Sequence, residues 1–203
     1  PEIHASMQLL MNITPAAYMS GNKNLNIYCV LRIVNISLKH GHSAYSSYAY
    51  ATYSVLLGGI LGKYQTSYQV GAMAMNLADQ IDDLSVKSQT QFVFAALVNH
   101  WTSELDITIN ITRQAYKNAM ESGNHIFASF AIANLLYYYF FRGWQLTKIN
   151  LESKKYINFI KHYKNKDMIL SWNIHDLCIR GLSVTKISFS SNELINEKTD
   201  LET

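Results

Sequence analysis

Apolar side chains recur along this chain with the spacing of an α-helix. One stripe runs through Val70, Ala74, Leu77 and Ile81, and residues at i, i+4, i+7 and i+11 lie on one face of a helix. Two further stripes with helical spacing follow it: Val86, Thr90, Val93, Leu97 and Trp101, then Ile111, Ala115, Tyr116 and Ala119. No segment sustains the period-two alternation, bounded by hairpin turns, that indicates strands. The pattern predicts an all-α fold.

Residues that favour helix ends divide this pattern into segments. Gly41 can end one helix in a left-handed conformation, and Ser43 can cap the next by accepting a backbone N–H. Thr14 before Pro15 is typical of a cap followed by a first-turn proline, and Ser85 is a further start signal. The predicted helices are 3–13, 15–20, 24–39, 44–61, 65–81, 86–102, 106–121, 125–141, 146–164 and 168–181.

The predicted helix starts at 44, 86, 125 and 168 recur about every 40 residues, and each opens a pair of helices. Helix pairs at a fixed spacing are typical of an α-solenoid, in which each pair buries its apolar face on its neighbours. The sequence therefore predicts an α-solenoid of antiparallel helix pairs, tetratricopeptide-like, with degenerate repeats of about 40 residues. This helical repeat domain is expected over residues 1–182. Residues 183–203 have no clear stripe, so they are expected to form a final helix or a linker to a downstream domain.

Composition supports a folded, non-membrane chain. Apolar residues make up 49% of the 203 residues and charged residues 15%, which excludes intrinsic disorder. The longest apolar run, residues 126–141, has 16 residues, whereas a membrane span needs about 20. Cys29 and Cys178 form no close pair, which favours two buried thiols in a reducing compartment and a cytoplasmic location. Because the chain begins at Pro1, we expect it to come from a longer polypeptide.

Positive charge is concentrated near the C-terminal end. The formal net charge is +3, but residues 142–166 carry seven Lys and Arg against one acid, Glu152. The candidate basic face consists of Lys148, Lys154, Lys155, Lys161 and Lys164. Together with the aromatic run at residues 137–141, this face could bind single-stranded nucleic acid. The low total charge disfavours that partner.

The sequence of several short stretches resembles that of a known protein family. The longest are VNISLKHGHS at residues 34–43 and AYATY at residues 49–53, and shorter ones are PAAY at 15–18, GKY at 62–64 and NHW at 99–101. In this order they resemble a helical region of large bacterial-type signalling proteins. Those proteins join a serine/threonine-kinase-like domain, an AAA/STAND-type ATPase, a tetratricopeptide-like region, a GAF domain and a histidine kinase. The resemblance covers about residues 3–180.

The resemblance implies a helical segment that couples an ATPase to downstream sensor and kinase modules. It carries over no catalytic or ligand-binding residue, because the stretch holds neither the glycine-rich loop of the kinase nor a phospho-accepting histidine motif. It therefore implies a non-catalytic piece of a two-component signalling protein whose partners are other proteins or domains.

Three local motifs approach known chemistry without completing it. In residues 57–64, Leu57 replaces the first glycine of a phosphate loop and Tyr64 replaces its magnesium-binding hydroxyl. Seven histidines occur without a zinc-ligand spacing. Ser171, His175 and Asp176 lie within one predicted helix, whereas triad residues converge from separate elements. The sequence predicts no catalytic residue, no cofactor and no metal.

The preferred interpretation is a non-catalytic scaffold or relay segment of a signalling ATPase and histidine kinase, which mediates protein contacts. The first helix of each pair would line a concave groove for a peptide or an adjacent domain. The candidate groove residues are Tyr48, Thr52, Asn99, Asn134 and Tyr138. The alternative is an independent binding module that uses the segment from Lys148 to Lys166 for an acidic partner, RNA or a membrane surface. A helical enzyme with scattered catalytic groups is a third class compatible with the sequence.

Overall fold

The computed structural model describes the backbone of residues 2–163 and 166–183, and the side chains of residues 2–163 and 169–182. Its α-helices are α1 (Glu2–Met19), α2 (Lys23–His40), α3 (Ala44–Gly59), α4 (Tyr64–Asp79), α5 (Leu84–Leu97), α6 (Leu105–Glu121), α7 (His125–Phe141), α8 (Leu146–Lys154), α9 (Ile157–Tyr163) and α10 (Lys166–Ser183). A 3₁₀ turn, Asn99–Trp101, follows α5. The described ranges contain no strand, so the all-α prediction is confirmed for them. Of residues 183–203, predicted as a final helix or linker, Ser183 ends α10, and residues 184–203 lie outside the described ranges.

Helices that are adjacent in sequence pack in pairs: α1 with α2, α3 with α4, and α5 with α6. The first helices of successive pairs also pack side by side, because α3 contacts α1 and α5, and α5 contacts α7. Helices α3, α5, α7 and α10 begin 40, 41 and 41 residues apart. At the C-terminal end, α10 packs on α7, α8 and α9. Each of these contacts joins elements that are close in the sequence.

Helix α3 is buried on nearly all sides, because α2, α4 and α5 all pack against it. Its buried positions are mostly small or hydroxylated, which allows backbones to approach one another closely. The hydroxyl oxygens of Ser37 on α2 and Ser46 on α3 lie 2.8 Å apart. Those of Ser47 on α3 and Thr90 on α5 lie 3.2 Å apart. These hydroxyl pairs satisfy buried polar groups where α3 packs on α2 and where it packs on α5, as burial requires.

A close approach among these helices occurs at Gly71 on α4. A β-carbon placed there would lie 2.5 Å from Cδ2 of Phe94 on α5 and 3.2 Å from Oγ of Ser54 on α3. Four residues earlier, the hydroxyl of Ser67 donates a 2.6 Å hydrogen bond to the carbonyl oxygen of Ser54. Helix α4 therefore rests on α3 and α5 through residues that leave no room for a larger side chain.

The N-terminal helix is longer than predicted. Instead of two helices that separate at Thr14, one helix runs from Glu2 to Met19 with Pro15 in its interior. A proline there costs about 3 kcal/mol in an isolated helix. The buried residues Met7, Met11, Thr14 and Ala17 form one stripe on both sides of Pro15. Packing of this continuous stripe on α2 and α3 outweighs the local penalty.

The predicted helix over 146–164 is divided instead into α8 and α9. The N–H groups of Lys155 and Tyr156 donate to the carbonyl oxygens of Glu152 and Ser153, three residues back, which tightens the chain into a turn. Tyr156 is buried, and its ring packs edge-on against that of Tyr116 with centroids 5.4 Å apart. The break between α8 and α9 therefore places the aromatic side chain of Tyr156 in the interior. A straight helix would leave that side chain elsewhere.

The capping predictions are partly confirmed. Gly41 ends α2 with a positive φ of 91°, but its ψ of 169° is extended and not left-handed helical. Ser43 forms a capping box with Ser46. Ser85, however, is not the cap of α5. The carboxylate of Asp83 accepts the hydrogen bond from the N–H of Val86 at 3.0 Å, because α5 begins two residues earlier than its apolar stripe indicates.

The cysteines differ in burial. Cys29 is buried, and burial raises the pKa of its thiol, whereas Cys178 is exposed. The prediction that both are buried is therefore wrong for Cys178, which lies outside the stripe of α10 that contains His175 and Ile179.

We expect Gly71→Ala to lower the free energy of unfolding by roughly 1–3 kcal/mol, because the added methyl group overpacks the contact with Phe94. The matched control is Gly59→Ala at the end of α3, where an added β-carbon meets no atom within 4 Å. That change should stay within about 0.5 kcal/mol of the parent chain. Urea denaturation followed by circular dichroism measures both. Equal stabilities of the two variants would contradict the close approach described for α4.

Candidate binding cavity

A cavity of about 580 Å³ lies against one face of the stacked helices. Helices α3, α5 and α7 each contribute side chains to it, and the C-terminal part of α1 with the start of α2 closes one side. The cavity is thus built by the first helices of successive pairs, which the sequence places about 41 residues apart. Its size falls within the range of 300–1,000 Å³ that is usual for ligand pockets.

The floor of the cavity is aromatic. The rings of Phe92 and Phe130 stack with centroids 5.7 Å apart, and Phe127 packs edge-on against both. The ring of Tyr48 meets Phe127 edge-on at 6.3 Å. Such edge-on and offset pairs stabilise aromatic clusters beyond simple burial. The floor is therefore a rigid apolar surface that joins α3, α5 and α7.

The polar side chains in the wall of the cavity donate hydrogen bonds to nearby backbone carbonyl oxygens. The hydroxyls of Thr14 and Thr52 each donate to the carbonyl oxygen four residues earlier, both at 2.8 Å. The amide of Asn134 donates to the carbonyl oxygen of Phe130 at 2.9 Å, and that of Asn26 donates to the carbonyl oxygen of Thr14 at 3.0 Å. Despite its amides and hydroxyls, this wall presents a mainly apolar surface.

Three of the candidate groove residues line this cavity: Tyr48, Thr52 and Asn134. Burial raises the pKa of Tyr48 strongly, so that its phenol stays neutral. Asn99 lies elsewhere, in the 3₁₀ turn, where its amide donates to the hydroxyl of Thr108 at 2.8 Å and ties that turn to α6. Tyr138 is buried on α7, where burial raises its pKa to about 12, and the cavity lining does not include it.

The aromatic floor of the cavity was not predicted from the sequence. Phe127 and Phe130 are three residues apart, as expected for one face of α7, and this spacing was the available signal. Phe92 on α5 gave no comparable signal, because its role depends on how closely α5 and α7 approach each other.

The mouth of the cavity is ringed by exposed apolar side chains. Tyr18 and Met19 at the end of α1 and Ile60 after α3 are 65%, 59% and 63% exposed. Among the described lining residues, Lys23 at the start of α2 is the one that carries a charge. No carboxylate of the described residues forms an ion pair with it. The mouth thus combines exposed apolar groups with one cation.

Some lysines of the candidate basic face already contact other side chains of the fold. The ammonium group of Lys148 lies 3.8 Å from the ring centroid of Trp144, and Lys155 pairs with Glu152 at 2.6 Å. Lys154 and Lys161 are exposed, without a carboxylate within 4 Å among the described residues. Lys164 lies outside the described residues. Two of the four described lysines are therefore already engaged within the fold.

The Trp144 ring is held between an aromatic ring and cations. It stacks on Tyr139 with centroids 4.1 Å apart and an interplanar angle of 4°, while the guanidinium of Arg113 lies 5.8 Å from its centroid. The Nε of Arg113 also donates to the hydroxyl of Tyr139 at 3.0 Å. Cation–π contacts of this kind contribute about 0.5–1 kcal/mol at exposed sites. They fasten α6, α7 and the start of α8 to one another.

Two of the incomplete motifs have structural roles. Residues 60–63 form the turn between α3 and α4, in which Gly62 has a positive φ of 66°. His175 on α10 is buried in contact with α7, its ring 5.9 Å from that of Tyr137. The Nε2 atom of His175 has no hydrogen-bond partner among the described residues. This nitrogen therefore makes no hydrogen bond to Ser171, although both residues lie on α10.

Burial lowers the pKa of His175, and burial also lowers that of His100. In the unfolded chain both imidazoles have a pKa near 6.5, so the unfolded state binds more protons than the folded state just below that pH. The free energy of unfolding should therefore fall as the pH drops through about 6.5.

We predict that His175→Leu reduces this loss, because the variant no longer has to bury an imidazole. Thermal unfolding at pH 7.5 and pH 5.5 measures the difference. The exposed His40 offers a matched control, His40→Leu, which should keep the pH dependence of the parent chain. Identical pH dependence of the parent and His175→Leu would contradict the assignment.

No helix in the described ranges is long and apolar enough to cross a bilayer.

The chain is similar to part of a much larger signalling protein. It is 26% identical over 170 residues to hybrid signal transduction histidine kinase G of Dictyostelium discoideum. The match covers 83% of this chain and 5% of that protein. No protein-family model matches the chain. The similarity is consistent with a segment of a signalling protein.

Proposed function

We propose that this chain is a non-catalytic helical-repeat segment, an α-solenoid of tetratricopeptide-like helix pairs, within a multidomain signalling protein. Its function is to mediate protein contacts, either between domains of the same polypeptide or with a partner. The parent protein is proposed to carry the histidine kinase and ATPase activities. The observation that carries the proposal is the regular stacking of helix pairs about 41 residues apart over a stretch that matches a histidine kinase.

The stacking supports a scaffold because each pair contacts mainly its sequence neighbours. In solenoids of this kind, stability is approximately a sum of terms for each repeat and for each interface between neighbours. Here α3 contacts α1 and α5, α5 contacts α7, and α10 contacts α7. Such an array transmits a displacement from one pair to the next without needing a reactive group.

The outer face of α2 supports a protein contact. Tyr28, Leu31 and Leu38 on this helix are 60%, 40% and 70% exposed. Helical spacing places them within one sector of the helix surface. Exposed apolar side chains that cluster in this way are typical of protein–protein interaction sites. We propose α2 as the contact surface of the scaffold.

The alternative, an acidic partner, RNA or a membrane surface bound by the basic face, has weaker support. Phosphate-binding surfaces rely on several cations that are free to meet the ligand. Lys148 and Lys155 already contact Trp144 and Glu152. The guanidinium of Arg142 forms a bidentate pair with Asp106, at 2.8 and 2.9 Å. These contacts leave Lys154 and Lys161 as the unpaired cations among the described side chains of this segment.

Removal of residues 164–203, which include α10, tests the repeat architecture. If the chain is a solenoid, this deletion removes only the interface between α10 and the preceding helices. The amides of α1–α6 should then keep their hydrogen-exchange protection to within about tenfold. Protection in α7 and α8, which contact α10, should fall by more than that. Hydrogen exchange followed by mass spectrometry measures both regions. Loss of protection in α1 and α2 would contradict a solenoid and indicate one closed cooperative unit.

Cross-linking in cells tests the scaffold function on the complete natural protein that contains this chain. Lys39, at the end of α2, should form amine cross-links to residues outside positions 1–203. The double substitution Tyr28→Glu and Leu38→Glu should reduce these cross-links several-fold. The matched control is Ile107→Glu on α6, an exposed apolar position that should leave them unchanged.

Two outcomes would contradict the scaffold function. The first is that Lys39 cross-links do not respond to the α2 substitutions. The second is ATP hydrolysis by the purified 203-residue chain, which would point to an enzyme.

A further inference from the structure

The cavity formed by α1, α2, α3, α5 and α7 has the properties of a small-molecule site. We propose that it binds a free amphipathic carboxylic acid of the fatty-acid type. The apolar chain lies on the aromatic floor, and the carboxylate meets Lys23 at the mouth. This inference goes beyond the scaffold function and does not depend on it, because it concerns a different surface from the outer face of α2.

The floor and wall suit a flexible apolar chain. Phe92, Phe127 and Phe130 provide a continuous aromatic surface, and Val55 and Ala96 extend it with aliphatic groups. Burial of apolar surface is the main contribution to the affinity of such a ligand. The volume of about 580 Å³ accommodates a chain of fatty-acid size but is too small for a globular partner.

The hydrogen bonding of the wall argues against a peptide in an extended conformation. An extended peptide brings backbone N–H and C=O groups that need partners when they are buried. The hydroxyls of Thr14 and Thr52 and one N–H of the Asn134 amide already bond to backbone carbonyls of their own helices, so the wall offers few free donors to a peptide. A hydrocarbon chain has no hydrogen-bonding groups. Its burial therefore leaves no polar group of the ligand or of the cavity wall unpaired.

Charge at the mouth selects the head group. Lys23 has no ion-pair partner among the described residues, and the described lining contains no acidic side chain. An anionic head would therefore find a partner, whereas a cationic head would meet repulsion. The exposed side chains of Tyr18, Met19 and Ile60 surround the mouth, where they would cover the part of the chain next to the carboxylate.

A matched series of twelve-carbon probes tests the proposal on the 203-residue chain by isothermal titration calorimetry, below the micelle concentration of the two ionic probes and the solubility limit of 1-dodecanol. Dodecanoate should bind one to one, more tightly than 1-dodecanol, and dodecyltrimethylammonium should bind more weakly than either. Decanoate should bind about tenfold more weakly than dodecanoate, because it buries two methylene groups fewer. Equal affinities for the three head groups, or no saturable binding of dodecanoate, would overturn the proposal.

Substitutions locate the site. Lys23→Gln should weaken dodecanoate binding by about 1.4- to fivefold, which is the range for an exposed ion pair, and leave 1-dodecanol binding unchanged. The matched control Lys39→Gln, at the other end of α2, should change neither. Ala96→Phe fills the cavity and should weaken both probes at least tenfold, whereas Ala5→Phe on the exposed side of α1 should not. Unchanged binding in Ala96→Phe would overturn the assignment to this cavity.

Two further measurements keep the result interpretable. Circular dichroism establishes whether Ala96→Phe is folded, and Ala96→Leu supplies a smaller change with a proportionally smaller loss of affinity. Vesicles of anionic phosphatidylglycerol distinguish a free acid from a membrane surface. If the chain binds these vesicles with an affinity that Ala96→Phe does not alter, and does not bind dodecanoate, the proposal fails in favour of surface binding.

Discussion

The fold depends on the close approach of α3 to the helices around it. A helix that is contacted by its pair partner and by both neighbouring pairs has little free surface, so it cannot carry large side chains on every side. Helix α3 meets this constraint with buried Ser46, Ser47, Ala49, Ala51 and Ser54. The buried tyrosines of α3, Tyr48 and Tyr50, pack instead against the rings of Phe127 and His42. The small residues of α3 thus allow the neighbouring helices to approach it closely.

The cavity follows from the distribution of small and large side chains on these helices. Helices α3 and α5 lie in direct contact where small hydroxylated residues meet, as at Ser47 and Thr90. Where α3, α5 and α7 carry Tyr48, Phe92 and Phe127, these rings form a surface instead. Helices α1 and α2 pack on α3 at one end and enclose that surface on one side. A recess of ligand size therefore arises from ordinary packing, without a buried side-chain polar atom left unpaired in the described lining.

The sequence predicted those features that depend on short stretches of chain. Helical stripes and caps gave the all-α class and most helix bounds, including the turns at Gly41 and Gly62. It failed where distant packing overrides local preference. Pro15 remains inside α1 because the stripe from Met7 to Ala17 is buried as a unit, and α8 ends because Tyr156 reaches Tyr116. The aromatic floor depends on the distance between α5 and α7, about which the local pattern of either helix contains no information.

The hydroxyl groups in the interior have an evolutionary consequence. Thr14 and Thr52 each donate to the carbonyl oxygen one turn earlier in their own helix. Because such a bond is local, replacing one of these residues by alanine or valine strands no partner on another helix. Interior positions can then change one at a time, without compensating mutations elsewhere. A protein built in this way can keep its architecture while its sequence drifts far from that of its relatives.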